Sequence, residues 1–531
     1  MQNFNFERLL SSRVRRRQVL IGTGALTGFA IANQWSNKVL AQPRFSNYPF
    51  SLGVASGEPL PDNVVLWTRL APDPLNGGGM PQYNVPVQWQ VATDEKMQQV
   101  VRSGTQIATP EFGHSVHVEV QGLKPARWYW YQFRVGNEVS PIGRTRTAPN
   151  PRDRVERFRF AFASCQNWEQ GYFAAYKNMA QEDLDLVVHL GDYIYEGAPR
   201  ANALRPHEGN GEPVTLEEYR NRHAQYKTDP SLQQTHAAFP WLVTWDDHEV
   251  DNNWADEIPQ DPEKQTRQAF LARRAAAFQA YYEHMPLRDF SKPRGIDMQL
   301  YRRLNFGNLV EFNVLDTRQY RSDQPCNDTI EPRCPEAFDP SATMTGTEQE
   351  QWLFRNLERS GARWNVLAQQ VVFTQHDWTA GPETAFNIDA WDGYVAARSR
   401  ILNFLAQRQP ANPVVITGDT HSSWVSDLKA DYNNPNSATV GTEFVGTSIT
   451  SGFGASDRIE KALPESPWIK YFNGRQRGYV VCDLNHQRWR SDYRLLAPSP
   501  ETGPTVPNPN APIISTVSFE LPNQGRVKRV Q

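Results

Sequence analysis

The sequence predicts an α/β catalytic unit built on parallel strands, preceded by an all-β unit. Three observations carry that expectation. From Phe158 to Glu196 an aromatic-rich apolar run, a helix-forming segment and a second apolar run follow one another, the pattern of a βαβ crossover. Further apolar runs downstream stop abruptly on polar residues, most of them able to bind a metal. Upstream, from about Phe45 to Thr147, short strand-like runs recur between Pro, Gly, Asp and Asn, the spacing of a β-sandwich.

The chain has 531 residues, enough for more than one core. A net charge of −3 lacks the basic excess of a nucleic-acid-binding domain. No stretch is apolar for long enough to span a bilayer stably. Residues 1–41 read as a targeting segment: Arg13, Arg15, Arg16 and Arg17 precede a mildly apolar stretch, and Val39-Leu40-Ala41 offers a cleavage site before Gln42. The block Arg16-Arg17-Gln18-Val19-Leu20 resembles a twin-arginine signal, although Arg15 stands where Ser or Thr is usual and Val19 where Phe is usual. An ordinary signal or an uncleaved anchor is the alternative. Twin-arginine export would make the translocase a partner, place the protein in the periplasm or outside the cell, and suit a cofactor loaded before export.

Residues 45–147 form the expected β-sandwich. Val64 to Thr68, Val85 to Thr93, Ser115 to Val120 and Trp128 to Val135 are its strands, and the turn at Leu123-Lys124-Pro125 feeds the aromatic run as in fibronectin-type (Ig-like) domains. Ala148 to Glu156 reads as a linker. Residues 157–496 form the catalytic unit and 497–531 a Pro-rich C-terminal extension. Within the catalytic unit, Phe158 to Ala163 ends in Ser164-Cys165, and Leu184 to Leu190 ends in Gly191-Asp192-Tyr193-Ile194-Tyr195. Phe239 to Trp245 ends in Asp246-Asp247-His248, Leu309 to Leu315 in Asp316-Thr317-Arg318, and Pro413 to Thr417 in Gly418-Asp419-Thr420-His421. Leu216 to Tyr226 and Pro262 to His284 are helical by composition. Cys326 and Cys334, close together in a polar loop, predict a local disulfide, and Cys482 a buried core position.

A single Asp after a strand is usually a turn former or helix cap. A turn-forming account does not require a Cys, a Tyr and two His at successive strand ends, and in an open parallel sheet those ends converge on one edge. Thiol, phenol, carboxylate and imidazole together suit iron. Asp192, between the Cys165/Tyr195 side and the Asp247/Asp419 side, would bridge to a second ion held by oxygen ligands, for which calcium, magnesium and manganese are the candidates. Two such ions suit phosphoryl transfer by a metal-activated water. Arg318 would offer its charge to the transferring oxygens, and His248 a hydrogen bond to the leaving or a phosphoryl oxygen.

The motifs SCQ, GDYIYE, WDDHEVDNN, LDTRQY and GDTHSSW, in this order, resemble the PhoD-like family of secreted alkaline phosphatases and phosphodiesterases, within the wider metallophosphoesterases. The run Leu52-Gly53-Val54-Ala55-Ser56-Gly57-Glu58-Pro59 is similar to the opening of that family's N-terminal domain. The resemblance implies a calcineurin-like metallophosphoesterase sandwich and hydrolysis of phosphate monoesters, diesters or both by a monomer. It implies Fe3+ at Cys165, Asp192, Tyr195 and His421. It also implies Ca2+ held partly by Asp192 and Asp419, with a contribution from the WDDHEVDNN segment. The superfamily's Gly-Asn-His-Glu motif lines up with Asp246-Asp247-His248-Glu249, which puts Asp247 at the metal and His248 at the transition state. Asn252 or Asn253 is the alternative amide ligand. The alternatives to a hydrolase are an exported redox metalloprotein and a non-catalytic surface-binding protein. Reversible redox without hydrolysis would mark the former, and a degenerate ligand set the latter.

Overall fold

The computed structural model describes residues 45–499 and 504–530; the targeting segment lies outside them. Its architecture is mixed α/β, dominated by two large sheets. At the centre of the first, ten-stranded sheet lie three parallel strands, Phe158–Ala163, Leu186–His189 and Pro240–Val243. The second sheet has seven strands, of which Val310–Val314, Trp364–Ala368, Pro413–Thr417 and Thr439–Val445 run parallel.

Alternation along these strands explains the layering. Phe158, Phe160 and Phe162 point one way and meet Val310, Phe312, Trp364, Val366, Val414 and Ile416 of the other sheet, so the two sheets face each other across a dry core. Ala161 and Ala163, with Val187, Trp241 and Val243, point the other way. They pack under helices that include Ala174–Met179, Leu216–Lys227, Pro230–Ala238 and Arg267–His284. The outer face of the second sheet, through Leu367, Val415 and Val445, is covered by Gly346–Arg359, Val395–Arg408 and Ser456–Ala462. Small alanines at the helix-facing positions of the first strand let the helices approach closely. Each fully buried Phe on the sheet-facing side contributes on the order of 1.5–3 kcal/mol.

The helix starts are set locally. Thr215 and Glu218 form a reciprocal capping box on Leu216–Lys227. Asp229 caps Pro230–Ala238 with Pro at its first position. The composition-based start at Pro262 is displaced to Arg267 because Thr266 is the residue that caps the helix, through Ala269 N–H.

The N-terminal region contributes to both of its surroundings. Val85–Ala92, Val100–Ala108, Trp128–Val135, Glu138–Val139 and Gly143–Arg146 form a separate five-stranded sheet. Val54–Gly57, Val64–Arg69 and Ser115–Val120, however, extend the ten-stranded sheet, with Ser56 and Gly57 paired in parallel to Pro240 and Trp241. The sheet therefore crosses the linker position read from the sequence. The small sheet packs on this extension through Val87, Val91, Tyr131 and Phe133 against Val64, Leu66, Val116 and Val118. At the opposite edge, Gln476–Leu484 pairs with Phe158–Ala163, and Arg488–Pro498, Ser515–Pro522 and Lys528–Arg529 follow outward. The extension after residue 497 thus returns as sheet. Cys326 and Cys334 form the expected disulfide, and Cys482 is buried between the sheets.

Candidate metal centre

The parallel strands of both sheets deliver their carboxyl ends to one place, and the backbone there is unusual. Cys165, Asp192, Asp419 and His421 all have positive φ, 59°, 56°, 59° and 54°. Non-glycine residues enter this left-handed region only with support from their surroundings, and such residues concentrate at functional sites. The support is visible. Cys165 and Gln166 N–H groups donate to the carbonyls of Gly191 and Asp192, so the first two strand-end turns brace one another. Gly191, at φ 110°, lies against Asp246, and a Cβ there would come within 2.5 Å of the Asp246 Cβ.

Two compact groups of ligand-capable atoms result. Cys165, Asp192 and His421 present atoms within 4.8 Å of one another, and so do Asp192, Asp247 and His248. Asp192 belongs to both. Tyr195 joins the first group: its hydroxyl donates to Asp192 Oδ2 at 2.7 Å, lies 3.1 Å from His421 Nε2, and accepts from Ser451 Oγ at 2.7 Å. His421 Nδ1 lies 2.9 Å from the Gly452 carbonyl, which can only accept. Nδ1 therefore carries a proton, and Nε2 is the ring nitrogen that faces the cluster and would bind a cation through its lone pair.

The donor chemistry fits a cation. Burial, and then the Asp192 carboxylate, push both the Cys165 thiol and the Tyr195 phenol well up. The hydrogen bonds with Ser164 and Ser451 do not offset this, and a positive charge among them would favour thiolate and phenolate there. Asp192 Oδ1 is buried without a hydrogen-bond partner, an expensive arrangement unless a ligand completes it. On the other side carboxylates dominate, with His248 beside them. Asp419 is half-buried and lies outside both compact groups, but burial and the charges of Asp389, Asp247 and Asp192 raise its carboxyl well above the usual range. For Asp247, burial works the same way and is outweighed by His248 and Arg318, which hold it low.

Three buried side chains organise these groups without having been singled out in the sequence. Glu249 accepts from the N–H groups of Tyr193 at 2.6 Å, Asp246 at 2.9 Å and Asp192 at 3.2 Å, tying two strand-end turns to one carboxylate. Glu196 accepts from His248 Nδ1 at 2.7 Å and from Asn252 N–H at 2.8 Å. Burial opposes charge on His248, but Glu196, Asp247 and Asp192 outweigh it and hold the imidazolium to well above its ordinary pKa. Asp389 receives Arg318 Nη1 at 2.9 Å and Arg321 Nη2 at 2.8 Å. The available signal for Glu196 and Glu249 was an acid inside each of two motifs already read for their metal ligands.

Arg318 sits differently from its expected place facing a phosphoryl oxygen. Its side chain is 0% exposed, with Nε 2.6 Å from Asp246 Oδ1 and Nη2 2.9 Å from Asp389 Oδ2 and 3.8 Å from Asp247 Oδ2. Three carboxylates draw the guanidinium beneath the site, where it orients them. Asn252 is half-buried and meets the site through its backbone N–H to Glu196. Its neighbour Asn253 donates its own N–H to Asp247 Oδ2 at 2.8 Å.

Comparisons with known proteins agree along the whole chain. The family model "PhoD-like phosphatase" matches residues 160–493, and that of the "PhoD-like phosphatase, N-terminal domain" matches 34–149. Alkaline phosphatase D of Bacillus subtilis (strain 168) is 50% identical over 532 residues, covering 98% of this chain and 89% of that protein. A solved structure described as "Structure of PhoD" is 51% identical, with a TM-score of 0.87 over 92% of this chain and 93% of that one.

Proposed function

We propose that this chain, which belongs to the PhoD-like phosphatase family and is therefore a phosphoric ester hydrolase of the alkaline phosphatase D type, hydrolyses its ester at an iron–calcium centre after export from the cytoplasm. The observation that carries this reading is Asp192: one carboxylate belongs to a Cys/Tyr/His group on one side and to a group with Asp247 and His248 on the other. Thiol, phenol and imidazole donors suit Fe3+, with Cys165, Asp192, Tyr195 and His421 as its ligands. Asp192, Asp247 and Asp419, with an amide oxygen from Asn252, suit Ca2+, with Mn2+ or Mg2+ as alternatives. When bound, the two ions would supply Lewis acidity, lowering the pKa of a water and neutralising phosphoryl charge.

The chain's own residues do the rest. Glu196 fixes the His248 ring by accepting from Nδ1–H and favours the imidazolium, whose second proton, on Nε2, is the one available to the departing alcohol oxygen. Glu249 and Arg318 hold Asp192, Asp246 and Asp247 in place, so the carboxylates need little reorganisation during the reaction. In this reading the two facing sheets are of the calcineurin-like metallophosphoesterase type, and the N-terminal strands derive from a fibronectin-like sandwich. The Arg16-Arg17 segment directs the folded protein through the twin-arginine translocase to the periplasm or beyond, where it works as a monomer. Among the described residues no helix is long and apolar enough to cross a membrane.

The test is metal analysis of protein exported by its own signal, with p-nitrophenyl and bis-p-nitrophenyl phosphate assayed alongside. Iron with calcium, and turnover of either ester, supports the reading. Zinc alone, or turnover of neither ester, sinks it.

A further inference from the structure

The disulfide between Cys326 and Cys334 closes a loop whose only acidic residue before Glu331, Asp328, reaches back to the candidate centre. Both Asp328 oxygens accept from Asn253 Nδ2, each at 3.1 Å. Asn253 is itself in the left-handed region, at φ 52°, and its N–H is the group that donates to Asp247 Oδ2. Its carbonyl accepts from Gln324 Nε2, and the same amide donates to Asp389 Oδ1 at 2.9 Å. The loop is fastened on its far side as well: Ile330 and Glu331 pair with Asn387 and Phe386, and Ile388 N–H donates to the Thr329 carbonyl. Asn253 is thus clasped through its side chain and its carbonyl while its N–H orients a carboxylate of the site.

We propose that Asp328, presented by the disulfide-closed loop, is a positioning residue for the calcium side of the centre, acting through Asn253 on Asp247. The strap stands on the hydrogen bonds alone; naming its cation calcium rests on the iron–calcium reading. The disulfide restrains the loop so that Asp328 is already in place before a cation arrives, which lowers the ordering cost of binding. Outer groups that orient a ligand carboxylate are typically worth about 10–100-fold in metal affinity.

The experiment compares the full-length protein with Asp328→Ala, Asp328→Asn, and the Cys326→Ser/Cys334→Ser pair. It measures the calcium concentration for half-maximal hydrolysis of bis-p-nitrophenyl phosphate, and hydrogen exchange across residues 247–254 with and without calcium. Asp328→Ala and the serine pair each raise the half-maximal calcium concentration about ten-fold and speed exchange across that segment. Asp328→Asn keeps an acceptor oxygen and stays within about two-fold of the parent. Combining Asp328→Ala with the serine pair adds little, because both remove the same contact. Unchanged exchange across 247–254 in Asp328→Ala overturns the proposal, and so do independent, multiplying effects of the two changes. If the serine pair fails to fold, Asp328→Ala against Asp328→Asn still decides. A parent whose hydrolysis ignores calcium defeats the iron–calcium reading, and the exchange comparison then decides the strap alone.

Discussion

His248, half-buried, and Glu196, buried, form a pair, Nδ1 to Oε2 at 2.7 Å, that favours the imidazolium beside the candidate centre. A histidine held above its usual pKa keeps its proton as the pH rises, and loses it only when the pH passes the raised value. Glu196→Gln removes the strongest of the charges that raise it. Its alkaline limb of kcat/KM therefore moves to lower pH while the acid limb stays, and kcat at the parent's optimum falls about 10–100-fold. An unshifted alkaline limb would show that His248 is not the acid.

A phenolate bound to ferric iron absorbs visible light, so the iron-loaded protein is coloured if Tyr195 is a ligand. Tyr195→Phe keeps the ring, which lies 4.2 Å from His248, and removes only the oxygen. The expected outcome is loss of the band in the absorption spectrum. Survival of the band would remove Tyr195 from the ligand set.

Arg318 holds Asp246 and Asp389 with no exposure to solvent. Arg318→Lys retains the charge but cannot donate from one nitrogen to Asp389 while another reaches Asp246. Breaking a buried ion pair costs about 3–5 kcal/mol, so the denaturation midpoint in urea falls, and activity falls with it. A midpoint within error of the parent would mean that the carboxylates keep their places without it.

Replacing Arg16 and Arg17 by Lys tests export. The precursor should accumulate inside the cell, read by fractionation and immunoblotting. Normal export of the double variant would refute twin-arginine targeting.

Much of the site's layout was legible because chain direction alone brings the ends of parallel strands to one edge. Cys165, Asp192 and His421, far apart in sequence, come together on that basis. Arg318 was misplaced for the complementary reason. Its position after Val310–Val314 is a matter of topology, but its direction is set by Asp389, a loop residue no periodicity singles out. Glu249 and Glu196 were hidden because an acid that accepts backbone N–H groups leaves no spacing signature. The helices Gly346–Arg359 and Val395–Arg408 leave a fainter trace in the sequence than the apolar strands, because they bury only a few residues each. The continuation of the large sheet through Val54–Gly57 rests on a parallel pairing across nearly two hundred residues, which no local pattern announces.

The neighbour of Phe158–Ala163 on its outer side is Gln476–Leu484, a strand synthesised more than three hundred residues later. Until that strand arrives, the Cys165 strand has a bare hydrogen-bonding edge, and the Ser164 and Cys165 carbonyls lack the Ile449, Thr450 and Ser451 N–H groups that later cap them. The candidate metal site consequently cannot gain all its backbone partners until residue 451 has been made. A nascent chain stalled before residue 449 would carry the cysteine without the enclosure that shields it, and a route that waits for completed folding before transport would spare the chain that exposure.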